Sequence, residues 1–265
     1  MLQFTTPLRS FVVVSVFVFF ASSVHASDEY EQGLIAYSMG EYAQAEKHFI
    51  LAAEANEPGA AHMLARLYGE GKGIEADAKQ QFQWNLVATE QGLMQAQFAV
   101  AEAYAAGLAS EENQDQAYRW YRLAADQGHH VAYYRLGEMH ETGKGAVINA
   151  RIAKRLYLVA ASEYDVFAQK GDASSQDQLG SMYERGKGVA RNPLQAVAWY
   201  QRAALQGYAS AQFNLGRMLA GADGVDVNIA EARYWLDLAA RQGHGEARTL
   251  LAKLDDSGAE IALAD

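Results

Sequence analysis

The chain has 265 residues, half of them apolar and 20% charged, with a formal net charge of −10 and no cysteine. That composition excludes a disordered or collagen-like chain. The missing thiols exclude disulfides, thiolate zinc sites, cysteine nucleophiles and lipid attachment at a mature N-terminal cysteine. The negative balance argues against a nucleic-acid partner, which needs a basic footprint. The length suits one large domain, two smaller ones or an array, and the pairing of 23 glycines with 3 prolines implies few helix breakers but many permissive hinges.

Residues 1–26 read as a secretory signal peptide: Arg9 is followed by the apolar run Phe11–Val24 and by the small residue Ala26. An apolar run of 14 residues at ~1.5 Å each falls short of a ~30 Å hydrocarbon core, so cleavage after Ala26 is expected rather than membrane anchoring. Cleavage removes one arginine and no acid, leaving a mature charge of −11. The expected location is the periplasm, with secretion as the alternative and no membrane insertion after cleavage.

From Ala60 onward the chain repeats every 36 residues. Ala60, Ala96, Ala132, Ser175, Ala211 and Ala247 stand at equivalent positions, the third step being 43 residues rather than 36. Trp84, Trp120, Trp199 and Trp235 recur at position 25 of the unit, and Gly92, Gly128, Gly171, Gly207 and Gly243 at position 33. Apolar residues at positions 1, 5, 8 and 9 form one stripe of a first helix, helix A. Asp77, Asn113, Asn149, Asn192 and Asn228 occupy position 18, where a short polar side chain caps the start of a second helix, helix B. Pro193 follows one such cap, where its missing N–H is harmless. The glycine at position 33 suits the left-handed residue just beyond helix B, and paired alanines such as Ala203-Ala204 let helices approach closely. Each unit is a helical hairpin that cannot bury its face alone. The expected fold is therefore all-α, a right-handed α-solenoid of stacked helix-turn-helix repeats.

Leu179-Gly180, Tyr183 and Gly186-Lys187-Gly188-Val189, followed by Ala196, Trp199-Tyr200, Ala203-Ala204 and Gly207, resemble the Sel1-like repeat, a relative of the tetratricopeptide repeat. The resemblance covers 60–246 in five units: 60–95, 96–131, 132–174, 175–210 and 211–246. Residues 28–59, with Gly33, Gly40, Tyr42, Ala45, Phe49 and Ala52, look instead like an ordinary tetratricopeptide unit. Residues 247–254 are expected to form a capping helix and 255–265 an acidic, frayed tail. The family resemblance implies a non-catalytic protein-interaction scaffold of the bacterial envelope, with no cofactor. The alternative is a cell-wall hydrolase or a β-lactamase or penicillin-binding activity, as in the family's cysteine-rich branch. Neither that branch's cysteines nor an S-x-x-K acylation signature is present.

Other chemistry finds little support. Gly-Lys-Gly recurs at 71–73, 143–145 and 186–188, but a phosphate loop needs glycine where Arg66, Glu138 and Ser181 stand. His129, His130 and His140 lie close in sequence without an H-E-x-x-H motif, so no metal site is expected. Glu111-Glu112 and Asp255-Asp256 read as surface charge rather than an acid/base pair.

A solenoid of this type offers a concave face built from its A helices. Position 3 places Tyr30, His62, Phe98, Tyr134, Asp177 and Phe213 there, and position 7 adds Arg66, Glu102, Glu138 and Arg217. Glu141 and Arg185 follow at positions 10 and 11. An aromatic ladder beside charges suits a protein or peptide with apolar anchors and a basic segment opposite Glu102, Glu138 and Glu141. The alternative is that the aromatic rings pack between adjacent A helices. The seven-residue surplus near 162–168 adds almost two helical turns with little rotation. It is expected to lengthen helix B and to leave Tyr164, Val166 and Phe167 projecting as a partner-specific knob.

Overall fold

A computed structural model describes residues 11–57, 59–108, 113–221 and 224–262. Residues 1–10 of the expected signal peptide, Glu111-Glu112 and the last three residues of the tail lie outside the described residues. The described chain is all helix in its regular structure. Its hairpins are α1 (Phe11–Ser38) with α2 (Tyr42–Glu54), α3 (Ala60–Glu70) with α4 (Ala78–Glu90), and α5 (Met94–Ala106) with α6 (Gln114–Asp126). They continue with α7 (His130–Thr142) and α8 (Ala150–Gln169), α9 (Ala173–Arg185) and α10 (Pro193–Leu205), and α11 (Ala209–Leu219) and α12 (Ile229–Arg241). A final helix, α13 (Gly245–Ala262), ends the series. The segment expected to fray is therefore helical from Asp255 through Ala262. Among the described residues no helix is long and apolar enough to cross a membrane.

The contacts divide the chain into two compact units, Met1–Ala132 with Lys144–Ala146, and Tyr133–Gly143 with Val147–Asp265. In the first, Phe49, Leu64 and Leu67 are fully buried among alanines of α2 and α3. In the second, Tyr200, Leu215 and Met218 occupy the same role between α10 and α11. Alanine supplies much of the remaining core, since small side chains let helix axes approach closely enough for dispersion contacts to accumulate.

Local chemistry sets each helix boundary. Asp77, Asn113, Asn149, Asn192 and Asn228 all accept a backbone N–H from the first turn of the following helix through their side-chain oxygens. Asn192→Ala is expected to lower the unfolding free energy by about 1 kcal/mol, whereas Asn192→Asp retains most of it. Urea denaturation followed by far-UV circular dichroism checks both. At the other end of helix B the glycines at 92, 128, 171, 207 and 243 all take positive φ.

A polar ladder that helical periodicity does not reveal joins successive hairpins. Gln97, Gln176 and Gln212 are buried, and each accepts from a glutamine at the end of its own repeat, Gln127, Gln206 and Gln242, at 2.8 Å. Gln176 and Gln212 also donate to the carbonyls of Ala168 and Ala204 in the preceding helix B. Buried polar groups satisfied in this way fix the register of one hairpin on the next.

Candidate partner-binding surface

Most of the A-helix side chains expected to meet a partner are engaged inside the protein. In the first unit Tyr37 donates to Glu70 at 2.6 Å, Arg66 Nε stands 2.6 Å from the same carboxylate, and Lys72 stands 3.0 Å away. These donors hold the Glu70 carboxyl down to about 2. Tyr30 is half-buried against Phe49, with ring centroids 5.8 Å apart. His62 is half-buried beside Asn85, and burial lowers its pKa. Phe98 stacks on His129 at 4.2 Å and tilts onto Tyr121, whose hydroxyl donates to Glu102. Burial lowers His129 to about 4. Its ring is therefore neutral near pH 7, and its Nδ1 accepts the Ala132 N–H at the start of α7.

In the second unit Tyr134 is buried, its ring 5.2 Å from Tyr157 and 5.5 Å from the Lys187 ammonium. Lys187 donates to Glu141 at 2.8 Å and to the Tyr157 hydroxyl at 3.1 Å, and Tyr157 donates to Glu141 at 2.7 Å. Both contacts hold the Glu141 carboxyl below its usual range. Glu138 lies 3.1 Å from Arg135 and 3.9 Å from Lys187. Arg217 Nη2 meets both oxygens of Glu184, at 2.7 and 2.8 Å, while Tyr200 donates to the same carboxylate at 2.9 Å. Phe213 stacks on His244 at 4.5 Å. Arg185 is exposed at the end of α9.

Two expectations are corrected by this arrangement. The rings at position 3 do not form a free ladder: Tyr134 is buried, and Phe98 and Phe213 each stack on a histidine of their own repeat. Glu138 and Glu141, expected to face a basic segment, stand beside Arg135 and Lys187 with their side chains 32% and 48% exposed. The second correction concerns the insertion. It lengthens α8 to 20 residues against 13 for α4, α6, α10 and α12, but Tyr164 is buried rather than projecting. It follows the buried Tyr157 by seven residues, and a seven-residue step returns to nearly the same helix face. Val166 and Phe167 remain exposed, with Lys170 lying 5.5 Å above the Phe167 ring.

Asp177 sits partly buried where other repeats hold an aromatic ring, accepting from Asn214 Nδ2 at 2.9 Å. Burial raises its carboxyl to about 6. Between pH 4 and 6 the folded protein then holds a proton that the unfolded chain has released, so this group makes stability fall as pH rises. Asp177→Asn is expected to stabilise the protein by about 2 kcal/mol at pH 7.5 and hardly at all at pH 4, read from denaturant midpoints at the two values.

A feature unremarked in the sequence lies on helix B of the fourth repeat. A cavity of about 1010 Å³ is bounded by the first half of α8 and by the turn from Gly186 to Arg191. Arg151, Lys154, Arg155, Arg185, Lys187 and Arg191 line it against one carboxylate, Glu141. The sequence signal was the basic cluster at 151–155 in an otherwise acidic chain. Among the described residues no group of three or more histidine, aspartate or glutamate side chains is placed to hold a metal.

The family model described as "Sel1 repeat" matches residues 26–57, 58–93, 95–129, 130–165, 173–208 and 209–244. It thus includes the first hairpin, which resembled a tetratricopeptide unit, and leaves 166–172 unmatched. A Sel1 repeat protein from Oxalobacter formigenes is 32% identical with a TM-score of 0.65, covering 84% of this chain and 86% of that one. The protein c5321, a protective antigen of uropathogenic Escherichia coli with an SLR fold, is 27% identical with a TM-score of 0.51, covering 91% of this chain and 58% of that one. A putative Sel1 repeat protein from Klebsiella pneumoniae shares the fold at 19% identity and a TM-score of 0.51, covering 79% of this chain and 99% of that one. No functionally curated protein matches the chain.

Proposed function

The chain belongs to the Sel1 repeat family, whose members are generally protein-interaction scaffolds, and from that premise we propose that it is a non-catalytic scaffold exported to the bacterial periplasm. One observation carries the reading. The residues that recur between repeats are engaged in caps, left-handed turns and helix packing, so recognition falls to the exposed positions that differ from repeat to repeat. The partner is a protein segment lying along the A helices, where Arg185 is exposed and, among the described residues, in no ion pair. Export rests on the apolar run that precedes Ala26.

In-cell crosslinking of the tagged protein tests this directly. A discrete protein adduct is expected, together with recovery of the mature chain in the periplasmic fraction. Turnover of nitrocefin or of muropeptides by the purified protein, abolished by a point substitution, would overturn the scaffold reading in favour of an enzyme.

A further inference from the structure

The cavity on α8 combines features that the packing of the repeats does not require. Arg151, Lys154 and Arg155 are spaced i, i+3, i+4, so they share one side of the helix. Arg151 also sits in the first turn of α8, which holds no acidic residue. A helix N-terminus carries partial positive charge from its unpaired N–H groups, so a cation there is locally unfavourable, and an anion would relieve it. Several cations of this acidic protein stand beside carboxylates, as Arg66, Arg217 and Arg241 do. Among the described residues no carboxylate lies within 4.0 Å of Arg151, Lys154, Arg155 or Arg185.

The cavity walls are not purely charged. Ile148 is 67% exposed and Leu158 61% exposed, and both line the same space as Val189. Isolated exposed apolar residues are ordinary, but two large ones beside a cation cluster make an amphipathic recess. Its far wall is fixed in place, because a Cβ on Gly188 would stand 2.1 Å from the Tyr157 carbonyl oxygen. The turn therefore rests directly on α8, and Lys187 is tied to Glu141 and Tyr157 at the base. A volume of about 1010 Å³ is at the upper end for a small-molecule site and suits several residues of an extended or helical segment.

We infer that this recess is a docking site for an acidic peptide segment of a partner protein, its carboxylates meeting Arg151, Lys154, Arg155 and Arg185 and its apolar side chains meeting Ile148, Leu158 and Val189. The inference rests on the scaffold reading and adds to it the chemistry of one partner segment, opposite in sign to the basic segment that the A-helix acids suggested. Charge pairing steers encounter and sets register, and the apolar contacts add area removed from water. Binding should therefore weaken as salt rises.

A random twelve-residue peptide library, displayed on phage and panned against the full chain, supplies the probe. Selected peptides are expected to be rich in Asp and Glu with interspersed Leu, Ile or Phe. Their affinity, measured by fluorescence anisotropy, should fall at least tenfold in Arg151→Glu/Arg155→Glu and severalfold in Leu158→Ser, and stay unchanged in Lys47→Glu. The double variant should also keep or raise its melting temperature, because Arg151 stands in the first turn of a helix and neither arginine has an ion pair to lose among the described residues, which separates lost binding from lost folding. Arg151→Gln/Arg155→Gln provides the same test without charge reversal. Peptides with no acidic bias, or acidic peptides that bind the double variant as well as the wild type, would overturn the inference. So would equal competition by inorganic phosphate or by phosphatidylglycerol vesicles, which marks a general anion site or a lipid surface. If crosslinking in cells captures the same protein with wild type and double variant, the scaffold reading stands and this recess is removed from it. If crosslinking captures nothing while the peptides behave as expected, the recess stands and the scaffold reading loses its support.

Discussion

Gly188→Ala is expected to lower the unfolding free energy by roughly 3 kcal/mol, a large share of what a domain of this size possesses. Two effects add. Gly188 has φ +73, where a side chain is disfavoured by about 1 kcal/mol. The new methyl group would also meet the Tyr157 carbonyl at 2.1 Å and the Leu158 N at 2.9 Å. Those are backbone atoms of α8, so the turn must lift off the helix rather than wait for a side chain to rotate. Gly207→Ala separates the two effects, because φ there is +84 but nothing lies within 4 Å of the added carbon. It should cost only about 1 kcal/mol. Urea titration of both variants, followed by tryptophan fluorescence, gives the comparison, and equal midpoints would refute the steric argument. Lifting the turn also dismantles the wall of the cationic recess, so Gly188→Ala should release acidic peptides that Gly207→Ala retains.

Tyr200→Ala carries the second large effect, about 4 kcal/mol, as expected for removing a fully buried aromatic ring from a close-packed site. Tyr200 is 1% exposed, and its ring fills the hollow left by Gly180, where a Cβ would approach it to 2.8 Å. Its hydroxyl also donates to Glu184, and burial beside that carboxylate raises the hydroxyl pKa. Tyr200→Phe keeps the ring and loses only the hydrogen bond, and Arg217 still engages both oxygens of Glu184. That variant should lose about 1 kcal/mol. Thermal melts of the two variants distinguish packing from hydrogen bonding. A phenylalanine variant as unstable as the alanine one would place the stabilisation in the polar network instead.

Gly180 and Tyr200 show how the sequence pattern and the packing explain each other. The Leu-Gly pair recurs at 136–137, 179–180 and 215–216, and Gly137, Gly180 and Gly216 each face a large side chain of helix B: Tyr157, Tyr200 and Leu236. The repeat makes the glycine visible, and the fold supplies its reason. His129 and His244 show a similar division. In sequence the first belongs to a loose histidine cluster. In the structure both cap the following helix through Nδ1, accepting from Ala132 and Ala247, and each stacks on a phenylalanine.

Hairpin number, cap positions, turn glycines and the all-helical class were legible from one linear pattern, because each depends on residues within a few positions of one another. An Asx cap acts on the next turn of its own helix, and a positive φ belongs to a single residue. The fate of the charged side chains was not legible, because it depends on how hairpins stack. Lys187 reaches Glu141 across 46 residues and Arg217 reaches Glu184 across 33, so acids that looked free in the sequence stand beside cations from another repeat. Stacking likewise turned Tyr164 inward and set the 186–191 turn against α8, converting a short run of arginine and lysine into a walled recess. Local chemistry thus wrote the hairpins into the sequence, while long-range electrostatics and steric fit between them settled which surfaces remain open to a partner.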